Sequence, residues 1–354
     1  MSKFFSEKYS SLTPYTPGEQ PKTRKFIKLN TNESPFSPSK KAIDGAMEAA
    51  KNLQLYSDPE SKLLHEKIAE IYGVTPDCVL ATNGSDEILN FAFMAFCDDK
   101  TPAVFPNITY GFYSVFAELN RVPYKTIPLN DDFSINPSDY YGANATVFIA
   151  NPNAPTGIYL GLDKIEEILI QNRDNVVVID EAYVDFGAES AVSLTKRYNN
   201  LLVTQTFSKS RSMAGARLGF GIASPELIRD LNTIKYSTNP YNVNSMTMAA
   251  GIGVLSDEEY TKSNCECIIK NREYTVCELK KLGFAMTDSM ANFILAKHDD
   301  IGGGELYKAL REKGILVRHF DKAEISDYNR ITIGSIEQMK ALVIAIKEIL
   351  EDKK

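Results

Sequence analysis

Residues 201–221 read LLVTQTFSKSRSMAGARLGFG. An apolar, β-favouring run (LLVTQTF, 201–207) is followed by a lysine between two serines, then by a loop crowded with small side chains. A nearly continuous apolar run suits a strand buried on both faces, as in parallel sheets. Lysine is strongly hydrated and rarely closes such a strand; its ordinary place would be a solvated turn. Here Ser208, Ser210, Ser212, Ala214, Gly215, Ala216 and Gly219 let a bulky group approach the backbone, and Arg217 supplies a cation for an anion. A desolvated lysine beside a second cation loses basicity and becomes a nucleophile toward carbonyls. Lys209 is therefore read as a chemical residue.

On either side of this stretch, apolar runs alternate with helical periodicities. VLAT (79–82), PAVFP (102–106), ATVFIANP (145–152), NVVVID (175–180) and GFGIAS (219–224) read as strands. SDEILNFAFMAFC, YGFYSVFAELN and LDKIEEILIQ (162–171) read as intervening helices, the first apolar nearly all round and hence buried. This alternation predicts an α/β fold, a mainly parallel sheet sandwiched by helices. Upstream, 40–52 and 60–72 are amphipathic helices, and residues 1–40, with Pro14, Pro17, Pro21, Pro35 and Pro38, form an extended arm. Past a helical stretch around 245–282 the pattern changes. FILAKH (293–298), ILVRHF (315–320) and RITIG (330–334) read as strands, with helices at 303–313 and 336–351: a smaller α+β domain. The expected division is an arm and part of the small domain at 1–40, a large domain at 41–260 and a small domain at 261–354.

The totals exclude several classes. With 354 residues, 44% apolar and 24% charged, a folded protein with room for two cores is expected. A net charge of −7 disfavours nucleic acid as a partner. Cys78, Cys97, Cys265, Cys267 and Cys277 form no CxxC pair, and His65, His298 and His319 are not spaced with them as ligands, so neither a disulfide frame nor a metal site is expected. MSKFFSEKYS lacks a signal-peptide core, and no run approaches the roughly 18 apolar residues of a membrane helix. A cytoplasmic location without membrane attachment is the expectation.

Ligands of parallel α/β sheets bind beyond the carboxyl ends of the strands. VLAT leads into Asn83-Gly84-Ser85-Asp86, a helix start whose free N–H groups suit a phosphate. ATVFIA leads into the Asn151–Gly157 turn, NVVVID ends on Asp180, and LLVTQTF leads to Lys209. A carboxylate after four apolar residues is costly unless paired. Each end taken alone has an ordinary structural reading: an N-cap, a rigid turn, a buried ion pair, a surface lysine. One ligand satisfies all four, pyridoxal phosphate: its aldehyde takes the lysine, its ring nitrogen the aspartate, its phosphate the helix N–H groups and Arg217.

Nearly the whole chain resembles the fold-type I pyridoxal-phosphate-dependent transferases, and among them the histidinol-phosphate aminotransferases. PYTPG (14–18), LNTNESPF (29–36), NGSDE (83–87), TYGFYS (109–114), NPNAPTG (151–157), DEAY (180–183), SKSRSMAGARLGF (208–220), PYNVN (240–244), ILVRHF (315–320) and RITIGS (330–335) match in order. The resemblance implies that Lys209 bonds the cofactor and moves the proton, Asp180 holds the pyridine nitrogen, Tyr183 donates to the ring oxygen and Tyr110 stacks on the ring. It implies that Ser85, Asp86, Thr206, Ser208 and Arg217 hold the phosphate, with Tyr56 reaching the partner's site in a homodimer with shared active sites. Arg330 would take the carboxylate of glutamate, and Tyr15, Asn32 and Arg318 would line the substrate side. Ala154 stands where many relatives carry an asparagine that donates to the ring oxygen, so either Asn153 takes that role or Tyr183 bears it alone. Ala323-Glu324 stands where several relatives have Pro-Arg, leaving the substrate's phosphate to Tyr15 and Arg318.

The implied reaction is transamination of L-histidinol phosphate with 2-oxoglutarate to imidazole acetol phosphate and glutamate, a step of histidine biosynthesis. An aromatic amino acid aminotransferase, a threonine-phosphate decarboxylase of the same fold and a non-catalytic pyridoxal-phosphate or effector binder stay open as alternatives at this point.

Overall fold

The protein's structure, a computed structural model, describes residues 2–21 and 24–353. In chain order, β1 (Ile27–Lys28) precedes α1 (Lys40–Ala49) and α2 (Lys62–Tyr72). Next come β2 (Val79–Thr82), α3 (Ser85–Phe96), β3 (Ala103–Pro106), α4 (Phe112–Asn120) and β4 (Tyr124–Ile127). β5 (Thr146–Ala150), α5 (Leu162–Gln171), β6 (Val177–Asp180), β7 (Leu201–Thr206) and β8 (Gly219–Ala223) follow. Then come the helices α6 (Pro225–Thr238), α7 (Ser245–Leu255) and α8 (Glu258–Lys281). The chain closes with β9 (Ala285–Met286), β10 (Phe293–Lys297), α9 (Gly303–Glu312), β11 (Ile315–Leu316), β12 (Arg318–His319), β13 (Asn329–Thr332) and α10 (Ile336–Glu351).

Seven strands form one sheet in the order β2-β8-β7-β6-β5-β3-β4, parallel except where β8 pairs with β2 and β7. Alternate side chains of β6 and β7 enter different cores, as the two-residue period of a strand requires. Val177, Ile179, Leu201 and Val203 join one core with Leu64 and Ile68 of α2. Val178 and Leu202 join another on the opposite face, with Ile88 and Leu89 of α3. A second, antiparallel sheet runs β12-β13-β10-β9 and is covered by α8, α9 and α10. β1 pairs in parallel with β11, so the N-terminal segment is stitched to the C-terminal part of the chain.

Three features go beyond the sequence reading. β4 is an edge strand with Tyr124, Lys125 and Thr126 exposed, so it lacks the apolar run of its neighbours. α6 adds a helix after β8, its Ile228 and Leu231 in the core shared with α3. ILVRHF is two strands: Ile315 and Leu316 pair with β1, whereas Arg318 and His319 pair with β13. Partner choice divides that run, and it leaves no periodicity mark.

α1 and α7 touch backbone to backbone. A Cβ built on Gly253 would lie 2.3 Å from the Lys41 carbonyl oxygen, and one on Gly45 2.8 Å from that of Ala249. Backbone cannot swing aside as a long side chain can. Gly253→Ala is therefore expected to cost about 1–3 kcal/mol through overpacking, read as a lower midpoint in urea denaturation at unchanged slope. A midpoint equal to wild type would show that the two helices re-seat freely.

Candidate active site

Beyond the carboxyl ends of β5, β6 and β7 lie two adjoining cavities that share Thr31, Tyr110, Ala154, Tyr183 and Lys209. The inner one, of about 290 Å³, is lined further by Ser85, Asp86, Asp180, Thr206, Ser208 and Arg217. The outer one, of about 570 Å³, is lined further by Tyr15, Asn32, Asn107, Arg318, Lys322 and Arg330. Residues far apart in sequence converge here because a parallel sheet delivers all its strand ends to one edge.

Lys209 stands at the junction. Its ammonium donates to the Thr31 carbonyl (3.2 Å) and forms no salt bridge among the described residues. Burial, reinforced by the Arg330 guanidinium, pulls its pKa from 10.5 down to about 8. Asp180 lies 4% exposed at the end of β6. Its carboxylate accepts from Tyr113 (3.1 Å) and Thr204 (3.2 Å), with no cation paired to it among the described residues, and burial pushes its pKa up to about 6. Tyr183 Oη accepts from Asn32 Nδ2 (2.9 Å), which turns the phenol's own proton toward the cavity.

The cradle sits where β8 meets α3. A Cβ on Gly219 would lie 2.4 Å from the Ser85 nitrogen, so only glycine lets the strand pass this close to the helix start. The first N–H groups of α3 have no acceptor within the helix. Around them stand Thr206 Oγ1 and Ser208 Oγ, 2.9 Å apart, and Arg217, whose Nη2 donates to Asp86 Oδ2 (3.1 Å). Tyr110 Oη donates to Asp86 Oδ1 (2.7 Å), which holds its ring over the inner cavity.

On the outer side Arg318 and Arg330 are directly opposed across the β12–β13 ladder. Like charges so placed repel. Neither has a carboxylate partner among the described residues: Arg318 donates to the carbonyls of Thr16 (3.1 Å) and Pro17 (3.4 Å), Arg330 to that of Asn30 (3.1 Å). Arg330 Nε is buried without a partner, and burial draws the guanidinium below its ordinary pKa range. Tyr15 stacks on Phe112 (4.3 Å between centroids) at the rim.

The structure does not bring Asn153 to either cavity. Its Nδ2 donates to the Ile108 carbonyl (2.9 Å) and to Thr156 Oγ1 (3.1 Å), and its Oδ1 accepts from Thr109. The amide is spent on Thr156 of its own turn and on the 108–109 segment beside it, while Ala154 and Tyr183 line the cavity. Asn32 reaches the outer cavity, but its amide is spent on Tyr183 and Thr332 (3.0 Å), making it a holder of Tyr183. Tyr56 lies outside, 84% exposed and stacked on Tyr241 (4.6 Å). Tyr113, Thr204 and Lys322 are additions to the sequence reading. Tyr113 carried a signal: it falls three residues after Tyr110, in the first turn of α4. Lys322 gave none, and the structure alone ties its ammonium to the Asn107 carbonyl at the cavity mouth.

These residues fit pyridoxal phosphate. Among the described residues the buried Asp180 carboxylate has no cation paired with it, the start of α3 offers N–H groups beside Arg217 for a phosphate, and Lys209 is a half-buried amine of lowered basicity. Among the described residues there is no grouping of His, Cys, Asp or Glu able to hold a metal ion, and no helix is long and apolar enough to cross a membrane.

A cavity that gathers an amine, a carboxylate and an anion cradle at the ends of parallel strands defines a pyridoxal-phosphate-dependent class. The family profile described as "Aminotransferase class I and II" matches residues 24–346, and the chain belongs to that family. A histidinol-phosphate aminotransferase of Brachyspira hyodysenteriae is 50% identical over 99% of this chain and 100% of its own length. One from Clostridium botulinum is 46% identical over 99% of both. A crystal structure of histidinol-phosphate aminotransferase from Sinorhizobium meliloti in complex with pyridoxal-5'-phosphate superposes with a TM-score of 0.89 over 100% of this chain and 99% of that one, at 22% identity, and shares the fold. The chain thus sits with the histidinol-phosphate aminotransferases that its motifs resemble.

A lysine with a pKa near 8 is about 10% neutral at pH 7, against about 0.03% at 10.5. Acylation of Lys209 in the cofactor-free chain, followed by peptide mass spectrometry, is expected to rise with pH through a midpoint near 8, while surface lysines rise near 10.5. A Lys209 midpoint among the surface lysines would remove the basis for its chemical role.

Proposed function

We propose that the chain transfers the amino group of L-histidinol phosphate to 2-oxoglutarate, with pyridoxal phosphate held at Lys209. The observation that carries this reading is the Arg318–Arg330 pair. Two opposed guanidiniums with no carboxylate partner among the described residues face the same cavity as Lys209, a setting that calls for an anionic substrate. Both substrates are anions, one a phosphate ester and the other a dicarboxylic acid.

When bound, the cofactor supplies an electron sink for the substrate carbon that gives up a proton. Asp180 would face the ring nitrogen and keep a proton there, its orientation set by Tyr113 and Thr204. Tyr183 would donate to the ring oxygen, Tyr110 would cover the ring, and the start of α3 with Thr206, Ser208 and Arg217 would hold the phosphate. Lys209 Nζ would carry the proton between carbon atoms, a task matched by an amine that titrates near working pH. Arg330, planar and aimed from β13, would take the carboxylate of glutamate; Arg318 and Tyr15 would hold the phosphate of histidinol phosphate.

A second copy of the chain would complete each site. Tyr56 is exposed together with Ile43, Met47, Leu53, Leu55 and Leu63 on α1, α2 and the turn between them, an apolar face suited to a homodimer. Free thiols at all five cysteines accord with work in the cytoplasm.

Single-turnover kinetics of the two half-reactions test the substrate reading. Arg318→Ala is expected to slow histidinol phosphate more than tenfold in kcat/KM, the equivalent of losing a charge-assisted hydrogen bond of about 1.5–3 kcal/mol, and to slow glutamate less. Arg330→Lys is expected to impair both. Equal losses in Arg318→Ala would deny it a phosphate-specific role, and a wild-type preference for phenylalanine would overturn the choice of substrate.

Sharing of sites is tested by mixing subunits. Tyr56→Phe and Lys209→Ala homodimers are each expected to be nearly inactive. A mixed dimer would gather both defects in one site and leave the other intact, so activity should return. No recovery after demonstrated subunit exchange would mean that each site is built from one chain.

A further inference from the structure

Each of the three central site residues is followed in sequence by a residue that points to the other side of the sheet. Asp180 is followed by Glu181, Tyr183 by Asp185 two positions on, and Lys209 by Ser210 and Arg211. All four of these followers lie in one hydrogen-bonded cluster, behind the sheet and outside the two cavities of the site. Glu181 Oε2 accepts from Gln205 Nε2 (2.9 Å). Gln205 Oε1 accepts from Tyr72 Oη, at the end of α2. Tyr72 Oη accepts in turn from Arg211 Nη2 (3.1 Å). Arg211 Nη1 donates to Asp185 Oδ2 (3.1 Å), which also accepts from Ser210 Oγ.

The arrangement follows from strand geometry. Thr204 and Thr206 of β7 face the site, where Thr204 bonds Asp180; Gln205 between them faces backward and bonds Glu181. The cluster is thus a second layer of bonds, in register with the first, on the reverse of β6 and β7. Its centre is enclosed, Glu181 and Gln205 being each 2% exposed and Arg211 9%, while Asp185 lies at the rim with its side chain 32% exposed. Arg211 also covers the Phe207 ring (5.2 Å), and Tyr72 packs against Phe220 (5.6 Å). Buried networks whose members are all satisfied are rigid, and those left half-satisfied are costly. Tyr72 is the joint, since its single hydroxyl both accepts from Arg211 and donates to Gln205. Burial raises its pKa to about 12, which keeps that proton in place.

We propose that Tyr72, Gln205 and Arg211 are positioning residues that hold the loops of Lys209, Asp180 and Tyr183 in mutual register from behind the sheet. They touch neither cofactor nor substrate. They act by limiting how far the Lys209 amine can drift toward water, since a misplacement of about 1 Å at a reacting group can cost about a hundredfold in rate.

The proposal rests on the reading of Lys209 as the reactive amine, and the test separates the two. Full-length wild type, Tyr72→Phe, Arg211→Lys and Arg211→Met are compared. The first readout is the pH midpoint of Lys209 acylation in the cofactor-free chain. The second is kcat and KM of the loaded enzyme, with denaturation midpoints recorded alongside. Tyr72→Phe keeps the ring against Phe220 and removes only the joint. It is expected to raise the Lys209 midpoint by about one pH unit, because a looser amine is better solvated. It should also lower kcat about tenfold with KM within about twofold. Arg211→Lys should retain more kcat than Arg211→Met, since it keeps a charge for Asp185 but cannot bridge to Tyr72 as well. If wild-type Lys209 titrated near 10.5, the reading of the lysine would fail. If it titrated near 8 and Tyr72→Phe matched wild type in midpoint and kcat, the positioning cluster would fail. A loss of activity in step with the folded fraction alone, at an unmoved midpoint, would make the cluster merely structural and equally overturn the proposal. Should Arg211→Met not fold, Tyr72→Phe decides alone.

Discussion

The burial of Lys209 is the constraint on which the rest of the site depends. An ammonium drawn partly out of water is unfavourable, and among the described residues its hydrogen-bond partner is one backbone carbonyl. The protein tolerates this by letting the amine lose basicity, aided by the neighbouring Arg330. Other groups share the same tension. Among the described residues Asp180 is a buried carboxylate without a cation and Arg330 a guanidinium without a carboxylate, its Nε buried and unpartnered, while the first N–H groups of α3 have no acceptor within the helix. Each is a cost to the chain on its own, and on the proposed reading one aromatic, phosphorylated cofactor and an anionic substrate would complement them. Stability is given up locally where function needs preorganisation.

The scaffold makes those costs bearable. Parallel strands with both faces covered hold their carboxyl ends rigidly, so Asp180, Thr204 and Thr206 project from fixed backbone. The antiparallel β8 brings Gly219 against the start of α3 and so shapes the phosphate cradle from two non-adjacent segments. The second sheet contributes Arg318 and Arg330 as cross-strand neighbours, a repulsive pair whose guanidiniums donate to the carbonyls of Thr16, Pro17 and Asn30. On the proposed reading, substrate charge and cofactor charge would be met by separate sheets, with Lys209 between them.

Sheet alternation also explains why so much buried polarity surrounds this site. One strand residue serves the front, and the next, equally polar, serves the back. Glu181 and Gln205 repeat in the rear the contact that Asp180 and Thr204 make in front. Polar residues at two successive strand positions break the apolar run, and their partners must come from elsewhere in the fold, here Tyr72 of α2 for Gln205, and Ser190 with the Ala191 N–H for Glu181.

Much was legible in the sequence by itself. Lys209 after LLVTQTF, Asp180 after VVVI and the small-residue loop before Arg217 announce themselves, because burying a charge at a strand end is costly and leaves a mark in any sequence that does it. The alternation of apolar strands and helices likewise determined the α/β class and the order of most of its elements, though not β4 or α6. Other features had to wait for the tertiary structure. Asn153 and Ala154 are neighbours in one turn, and only the fold shows the amide spent on Ile108 and Thr156 while the alanine faces the cavity. Only it shows that ILVRHF divides between two partners, that Arg318 stands opposite Arg330, and that Tyr72 joins Gln205 to Arg211 over a separation of 139 residues. The physical reason is the same in each case. Burial and periodicity are local properties written residue by residue, whereas which hydrogen bond a side chain makes depends on what the rest of the chain brings within about 3 Å of it.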